Sequence, residues 1–152
     1  MDKPTFVYVT HIKTTPEKLW EALTTTDFIQ RYWFGRKHES EWKSDSAIES
    51  RSPEGELEWR GQVLRSEPPR LLSYTFDCIG YGEPPSRVTF EIEPLGANTK
   101  PQGQAVRLTV THDDFPPNSK VYPGICEGWS AILSSLKSLL ETGRSLELTW
   151  KE

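Results

Sequence analysis

Apolar positions change period several times along the chain. Phe6-Val7-Tyr8-Val9-Thr10-His11-Ile12 is β-branched and aromatic with no Gly or Pro inside it, which predicts a strand. Behind it the period lengthens: Leu19, Trp20 and Leu23 recur at helical spacing. They follow Thr15-Pro16-Glu17, which supplies a hydroxyl cap, a first-turn proline and an acid at the positive end of the helix dipole. The Thr24-Thr25-Thr26 run continues a helix poorly. Asp27 offers a second N-cap, for a short helix carrying Phe28, Ile29, Tyr32 and Trp33 and closed by Gly35.

From Glu39 to His112 the pattern is that of an antiparallel meander. Ser40–Lys43 and Ser46–Arg51 are predicted strands joined at Ser44-Asp45, and Ser52-Pro53-Glu54-Gly55 is a turn. In Leu57–Ser66, alternation places Leu57, Trp59, Gly61, Val63 and Arg65 on one face. Glu67-Pro68-Pro69-Arg70 interrupts, Leu71–Phe76 resumes, and Cys78–Ser86, with two Gly and two Pro, is a loop. Arg87–Glu93 and Ala105–Thr111 alternate again on either side of a polar, flexible connection from Pro94 to Gln104. After Phe115-Pro116-Pro117-Asn118, residues Ile125, Trp129, Ile132, Leu133, Leu136, Leu139 and Leu140 trace one face of a long helix ended by Gly143. Leu146–Trp150 reads as a tail strand or a packed extension. One strand, two short helices, about six further strands and one long helix predict an α+β domain, its long helix laid across one face of the sheet.

The chain has 152 residues, which suits one domain. Its 18 basic and 22 acidic residues leave a net charge of -4, against a nucleic-acid partner, because phosphate binding needs a basic face. No apolar run reaches the roughly 20 residues of a membrane span, and Met1–Thr10 lacks the pattern of an export signal. Cys78 and Cys126 read as free thiols in a reducing compartment, so a cytoplasmic protein is expected. Six Trp, five Tyr and six Phe stand beside a single Met at a mean hydropathy of -0.61. Such rings build a core efficiently, and they also line ligand pockets.

Several segments in order resemble a known family. Thr15-Pro16-Glu17-Lys18-Leu19-Trp20-Glu21-Ala22-Leu23-Thr24 resembles its first-helix signature, and Pro68-Pro69-Arg70-Leu71 with Tyr74-Thr75-Phe76 its central element. Val88-Thr89-Phe90-Glu91-Ile92-Glu93-Pro94 and Leu108-Thr109-Val110-Thr111-His112 are similar to its paired late strands. Gly128-Trp129 with Leu133, Leu136-Lys137 and Leu140-Glu141 is similar to its closing helix. The family is the activator-of-Hsp90-ATPase homologue group of the START-like (SRPBCC, helix-grip) superfamily, and the resemblance runs from Phe6 to Thr142. It implies one domain over residues 1–152: a curved antiparallel sheet of six to seven strands around the C-terminal helix, enclosing a deep hydrophobic cavity. Eukaryotic co-chaperones of the group carry a separate N-terminal domain for Hsp90 engagement, for which this length leaves no room. The family name is therefore not an activity.

Candidate chemistry is sparse. His11, His38 and His112 have no ligand spacing, so neither a metal nor a cofactor is expected. His112-Asp113-Asp114 reads first as a turn, and Cys126 as a small helix residue rather than an activated thiol. No P-loop, dinucleotide fingerprint or nucleophile elbow is present. A cavity needs less: Trp33, Trp42, Trp59, Tyr74, Phe76, Phe90, His112, Trp129 and Leu133 are its candidate lining, with Arg65, Arg107 and His112 as polar anchors. Loops Ile79–Ser86 and Asp114–Tyr122 would gate it. The favoured reading is a binding protein for a small apolar or aromatic molecule or lipid. The alternative is a protein-interaction module that contacts a chaperone, and a cyclase- or hydrolase-type enzyme comes last.

Overall fold

The computed structural model describes residues 3–95 and 104–146. Strand β1 (Phe6–Ile12) precedes helices α1 (Pro16–Thr24) and α2 (Thr26–Tyr32). Then come β2 (Lys37–Ser40), β3 (Ala47–Arg51), β4 (Leu57–Glu67), β5 (Leu71–Cys78), β6 (Ser86–Leu95), β7 (Ala105–Asp113) and helix α3 (Tyr122–Thr142). The seven strands form one curved antiparallel sheet in the order β1-β7-β6-β5-β4-β3-β2. Strands β2 to β7 pair in sequence, as short connections dictate. The exception is β1, which lies along β7 with Phe6 opposite His112, while α1 and α2 carry the chain to the far edge of the sheet.

Capping chemistry sets the helix limits. Thr15 Oγ1 accepts the Lys18 amide at 3.2 Å, and Pro16 occupies the first turn of α1. Helix α2 begins at Thr26, with Thr25 as N-cap, so Asp27 sits in the first turn rather than capping it. Gly143 closes α3 at φ 82°, its N–H donating to the Leu139 carbonyl. Trp129, Leu133, Leu136 and Leu139 on α3 are buried on the sheet's inner face, joined by Leu19, Ala22, Leu23 and Ile29 from the short helices.

Two strand expectations are corrected. The strand predicted at Ser40–Lys43 is instead Lys37–Ser40, because the chain turns out of the ladder at Trp42 (φ 57°) and Asp45 (φ 73°). The Ser40 hydroxyl accepts the Trp42 amide at 3.0 Å and Ser66 Oγ donates to the Trp42 carbonyl at 2.7 Å, replacing strand hydrogen bonds. In β4, a register shift between Val63 and Arg65 breaks the alternation, so Arg65 faces outward, ion-paired with Glu67. Beside it Gly61 lies against β5 so closely that a Cβ there would collide with the Thr75 carbonyl. Of the connection Pro94–Gln104, residues 96–103 lie outside the described residues, and β6 runs on to Leu95. Of the tail segment Leu146–Trp150, only Leu146 is described: its amide donates to Ser135 Oγ at 3.2 Å.

Candidate functional site

Alternation along the middle strands aims Trp59, Tyr74, Phe76, Val88, Phe90, Val110 and His112 at α3. Trp129 meets them from the helix, Trp33 from the end of α2 and His38 from β2. Deep under the helix these rings pack on one another. Trp59 and Phe76 lie 4.5 Å apart by centroid, Trp59 and Tyr74 5.5 Å, and Phe90 and Trp129 5.8 Å.

Two histidines sit in this layer. His112 is fully buried and both its nitrogens are engaged. Trp129 Nε1–H donates to His112 Nδ1 at 3.0 Å, so that nitrogen is the bare one and Nε2 carries the proton. Nε2–H then donates to Ser86 Oγ at 2.7 Å, and the Ser86 hydroxyl donates to the Phe76 carbonyl at 3.3 Å. This relay ties α3 to β5, β6 and β7. Burial lowers the His112 pKa to about 3, against a weaker opposing pull from Asp113. His38 is wedged edge-on against Trp33 (4.2 Å) and Trp59 (5.0 Å). Its pKa is also lowered to about 3, by burial first and by the Arg36 charge second. His38 Nε2 and Ser50 Oγ, directly opposite in register, are buried without a hydrogen-bond partner among the described residues.

Among the described residues an open cleft runs along one flank of α3. It has a volume of about 270 Å³ and is lined by Trp33, Trp59 and Phe76 together with Gly124, Ile125, Gly128, Trp129 and Ile132 of α3. Arg36 and Glu58 stand at its rim, Arg36 Nε donating to Glu58 Oε1 at 2.8 Å, with Cys78 beside them. Burial and the carboxylates of Glu58, Asp77 and Glu83 push the Cys78 thiol up to about 11, so at neutral pH it is no nucleophile. Glu83 joins the two loops predicted to gate a pocket. Its carboxylate accepts Ser119 Oγ–H at 2.6 Å and the Lys120 amide at 2.7 Å, just before α3 begins.

Of the nine expected lining residues, Trp33, Trp59, Phe76 and Trp129 border this cleft. Tyr74, Phe90, His112 and Leu133 lie in the packed layer behind it. Trp42 is elsewhere, in a separate depression beside Trp20 and Pro68, with its ring 6.4 Å from that of Tyr74 by centroid. Arg65 and Arg107 are corrected as polar anchors: both point away from α3, and Arg107 pairs with Glu93 at 3.4 Å across the outer face. Sequence reasoning missed Arg36, Glu58, Gly124 and Gly128. The two helix glycines four residues apart were a signal for a bare helix face, whereas the ion pair depends on a meeting of the α2–β2 connection with β4 that no local pattern encodes. Among the described residues no group of His, Cys, Asp and Glu is placed to hold a metal ion, and no helix is long and apolar enough to cross a membrane.

The fold is shared with solved structures. Protein MLL2253 from Mesorhizobium loti is 28% identical, with 90% of this chain and 96% of that one covered at a TM-score of 0.75. The Aha1 dimer from Colwellia psychrerythraea, at 20% identity, covers 93% of this chain and 99% of its own at 0.73. An Hsp90 activator from Plasmodium falciparum, at 19%, covers 90% and 95% at 0.73. No functionally curated protein matches the chain in sequence. The family profile described as Activator of Hsp90 ATPase homolog 1-like protein matches residues 13–141, and to that family, with its START-like helix-grip fold, this chain belongs.

Proposed function

We propose that this protein is a receptor for a small apolar or aromatic molecule, held in the cleft between α3 and the β4–β5 strands. One observation carries the reading: four aromatic rings wall an opening of about 270 Å³ whose rim bears a single ion pair. Ligand sites are concave, mostly apolar and oriented by a few polar groups, and this cleft has that composition. A cytoplasmic setting fits the free thiols of Cys78 and Cys126.

Native mass spectrometry of freshly purified protein, together with thermal unfolding in the presence of small aromatic compounds, tests the proposal. A ligand present at a hundred times its Kd adds about 2.7 kcal/mol to the native state, or roughly 5–10 °C in Tm at this size. Quenching of tryptophan fluorescence should accompany it, because three indoles border the cleft, and Trp33→Ala should abolish both signals. No retained mass, no shift and no quenching across such a set would refute the reading.

A second reading is a chaperone-contacting module, favoured by the likeness to an Hsp90 activator and by the exposed Val7, Val9, Ile79 and Tyr81. It predicts retention of an Hsp90-type chaperone on immobilised protein. A chaperone that passes through unretained removes it.

A further inference from the structure

The two outer edges of the sheet are finished differently. At one edge β2 is four residues long, carries Lys37 and Glu39, and has the Thr26 hydroxyl of α2 donating to its His38 carbonyl at 2.9 Å. Short, charged and covered edges of this kind resist pairing with another chain. At the other edge β1 is seven residues long, and Phe6-Val7-Tyr8-Val9-Thr10 contains no charge, glycine or proline. Register sorts its peptide groups into two sets. The Ile92 amide donates to the Arg70 carbonyl at 2.9 Å, so the even-numbered residues of β6 bond on the β5 side. Alternation carried through the β6–β7 and β7–β1 registers turns the even residues of β1 toward β7 and its odd residues outward. Side chains of α3 bear out that parity and close both ends of the strand. Tyr122 OH donates to the Thr5 carbonyl at 3.1 Å, Lys137 Nζ donates to the His11 carbonyl, and Glu141 accepts the Lys13 amide at 2.8 Å. Between these hooks the outward N–H and C=O of Val7 and Val9 have no hydrogen-bond partner among the described residues. Both valine side chains are more than half exposed, at 57% and 51%.

We infer that this gap is an interface with a second copy of the chain: two β1 strands pair antiparallel about a two-fold axis at Tyr8, joining two seven-stranded sheets into one. Symmetry selects the occupant. Val7-Tyr8-Val9 reads the same in both directions. Setting Val7 opposite Val9 of the second copy forms four hydrogen bonds from the free groups alone, two for each such pair. A slip of two residues either way would call on Thr5 or His11, whose carbonyls α3 already holds. The same register puts the valines of both copies side by side on the outer face and the two Tyr8 rings opposite each other on the inner one. No charged side chain lies in the paired stretch to repel, although each chain carries a net charge of -4. With both β1 edges used and both β2 edges covered, assembly stops at two. Pairing over about five residues is a small contact, under the roughly 1,200 Å² of stable interfaces, so the dimer parts on dilution.

The test is sedimentation velocity of the full chain from about 5 µM to about 500 µM, the range in which a weak pairing forms, with amide hydrogen exchange measured at both ends. Wild type should pass from monomer to dimer, and its Val7 and Val9 amides should exchange at least threefold more slowly in the concentrated sample. Two double variants test the register, and thermal unfolding should show that these exposed substitutions leave the fold intact. Val7→Lys with Val9→Lys sets like charges opposite each other in both pairs and should stay monomeric throughout. Val7→Lys with Val9→Glu sets a cation opposite a carboxylate and should dimerise at least tenfold more tightly than the double-lysine variant. A wild type that remains monomeric overturns the inference, whichever other strand the edge then accepts. So does a dimer whose Val7 and Val9 amides exchange as in the monomer, or a double-lysine variant that pairs as well as wild type. If the lysine–glutamate variant pairs no better than the double-lysine one while wild type dimerises, Val7 does not face Val9 and the inference falls.

Discussion

Mild acid should unfold this protein through two histidines. His38 and His112 are held neutral, with folded-state pKa values lowered to about 3 by burial, whereas an unfolded chain titrates its histidines near 6.5. Between those values the unfolded chain binds protons that the folded one refuses, so stability is complete above 6.5 and is lost as pH falls. Integrated from pH 7 to pH 5, the loss is about 2 kcal/mol for each histidine and about 4 kcal/mol for both. That is a large part of the roughly 5–15 kcal/mol a domain possesses. Glu67, Glu83 and Glu141, each held below the usual carboxylate range by hydrogen bonds, take up their protons at lower pH still. Urea unfolding followed by tryptophan fluorescence at pH 7, 6 and 5 measures the slope. The informative variant is His38→Phe, which keeps a ring between Trp33 and Trp59 and removes both the titration and the unpaired Nε2. Its pH dependence should be half that of wild type. A loss below about 1 kcal/mol between pH 7 and 5, or an unchanged slope in His38→Phe, would refute the burial argument.

Other substitutions test the packing directly. Gly61→Ala should cost about 3 kcal/mol or more, because the added methyl runs into the Thr75 backbone rather than a movable side chain; urea midpoints will show it. Ser50→Ala should raise stability by about 1 kcal/mol through removal of a buried hydroxyl with no partner among the described residues, and a fall would mean that this hydroxyl is hydrogen-bonded after all. Trp129→Phe leaves His112 Nδ1 without its donor and should cost about 1–3 kcal/mol, with the imidazole nitrogen shifts in NMR reporting the lost tautomer preference.

The elements legible in the sequence are those whose signal is local. The apolar stripe from Ile125 to Leu140 needs only the helical period to be read, and Thr15-Pro16 and Gly143 mark helix ends by their own conformational preferences. The β2–β3 connection was misread because Ser40 and Ser66 capture the Trp42 peptide from outside the strand pattern. The face of Arg65 was misread because a bulge shifts alternation by one residue, and a bulge leaves no mark in side-chain polarity. Trp33, Trp59, Phe76 and Trp129 could be named as ring candidates from their strands and helices. That Arg36 meets Glu58 at their rim, or that Trp129 and Ser86 close on His112, follows from contacts between elements far apart in the chain, which no window of residues contains.

The placement of β1 has a consequence for how the chain acquires its shape. Among the described residues its one neighbour in the sheet is β7, which begins at Ala105, so β1 must wait for a strand made much later. Every other strand finds a mate within one hairpin. Assembly of the meander is therefore fast and local, while docking of Phe6–Ile12 is a late, long-range closure of the kind that slows folding. Until it happens the β7 edge lies open, and in that interval a nascent copy is most exposed to pairing with a stranger's strand.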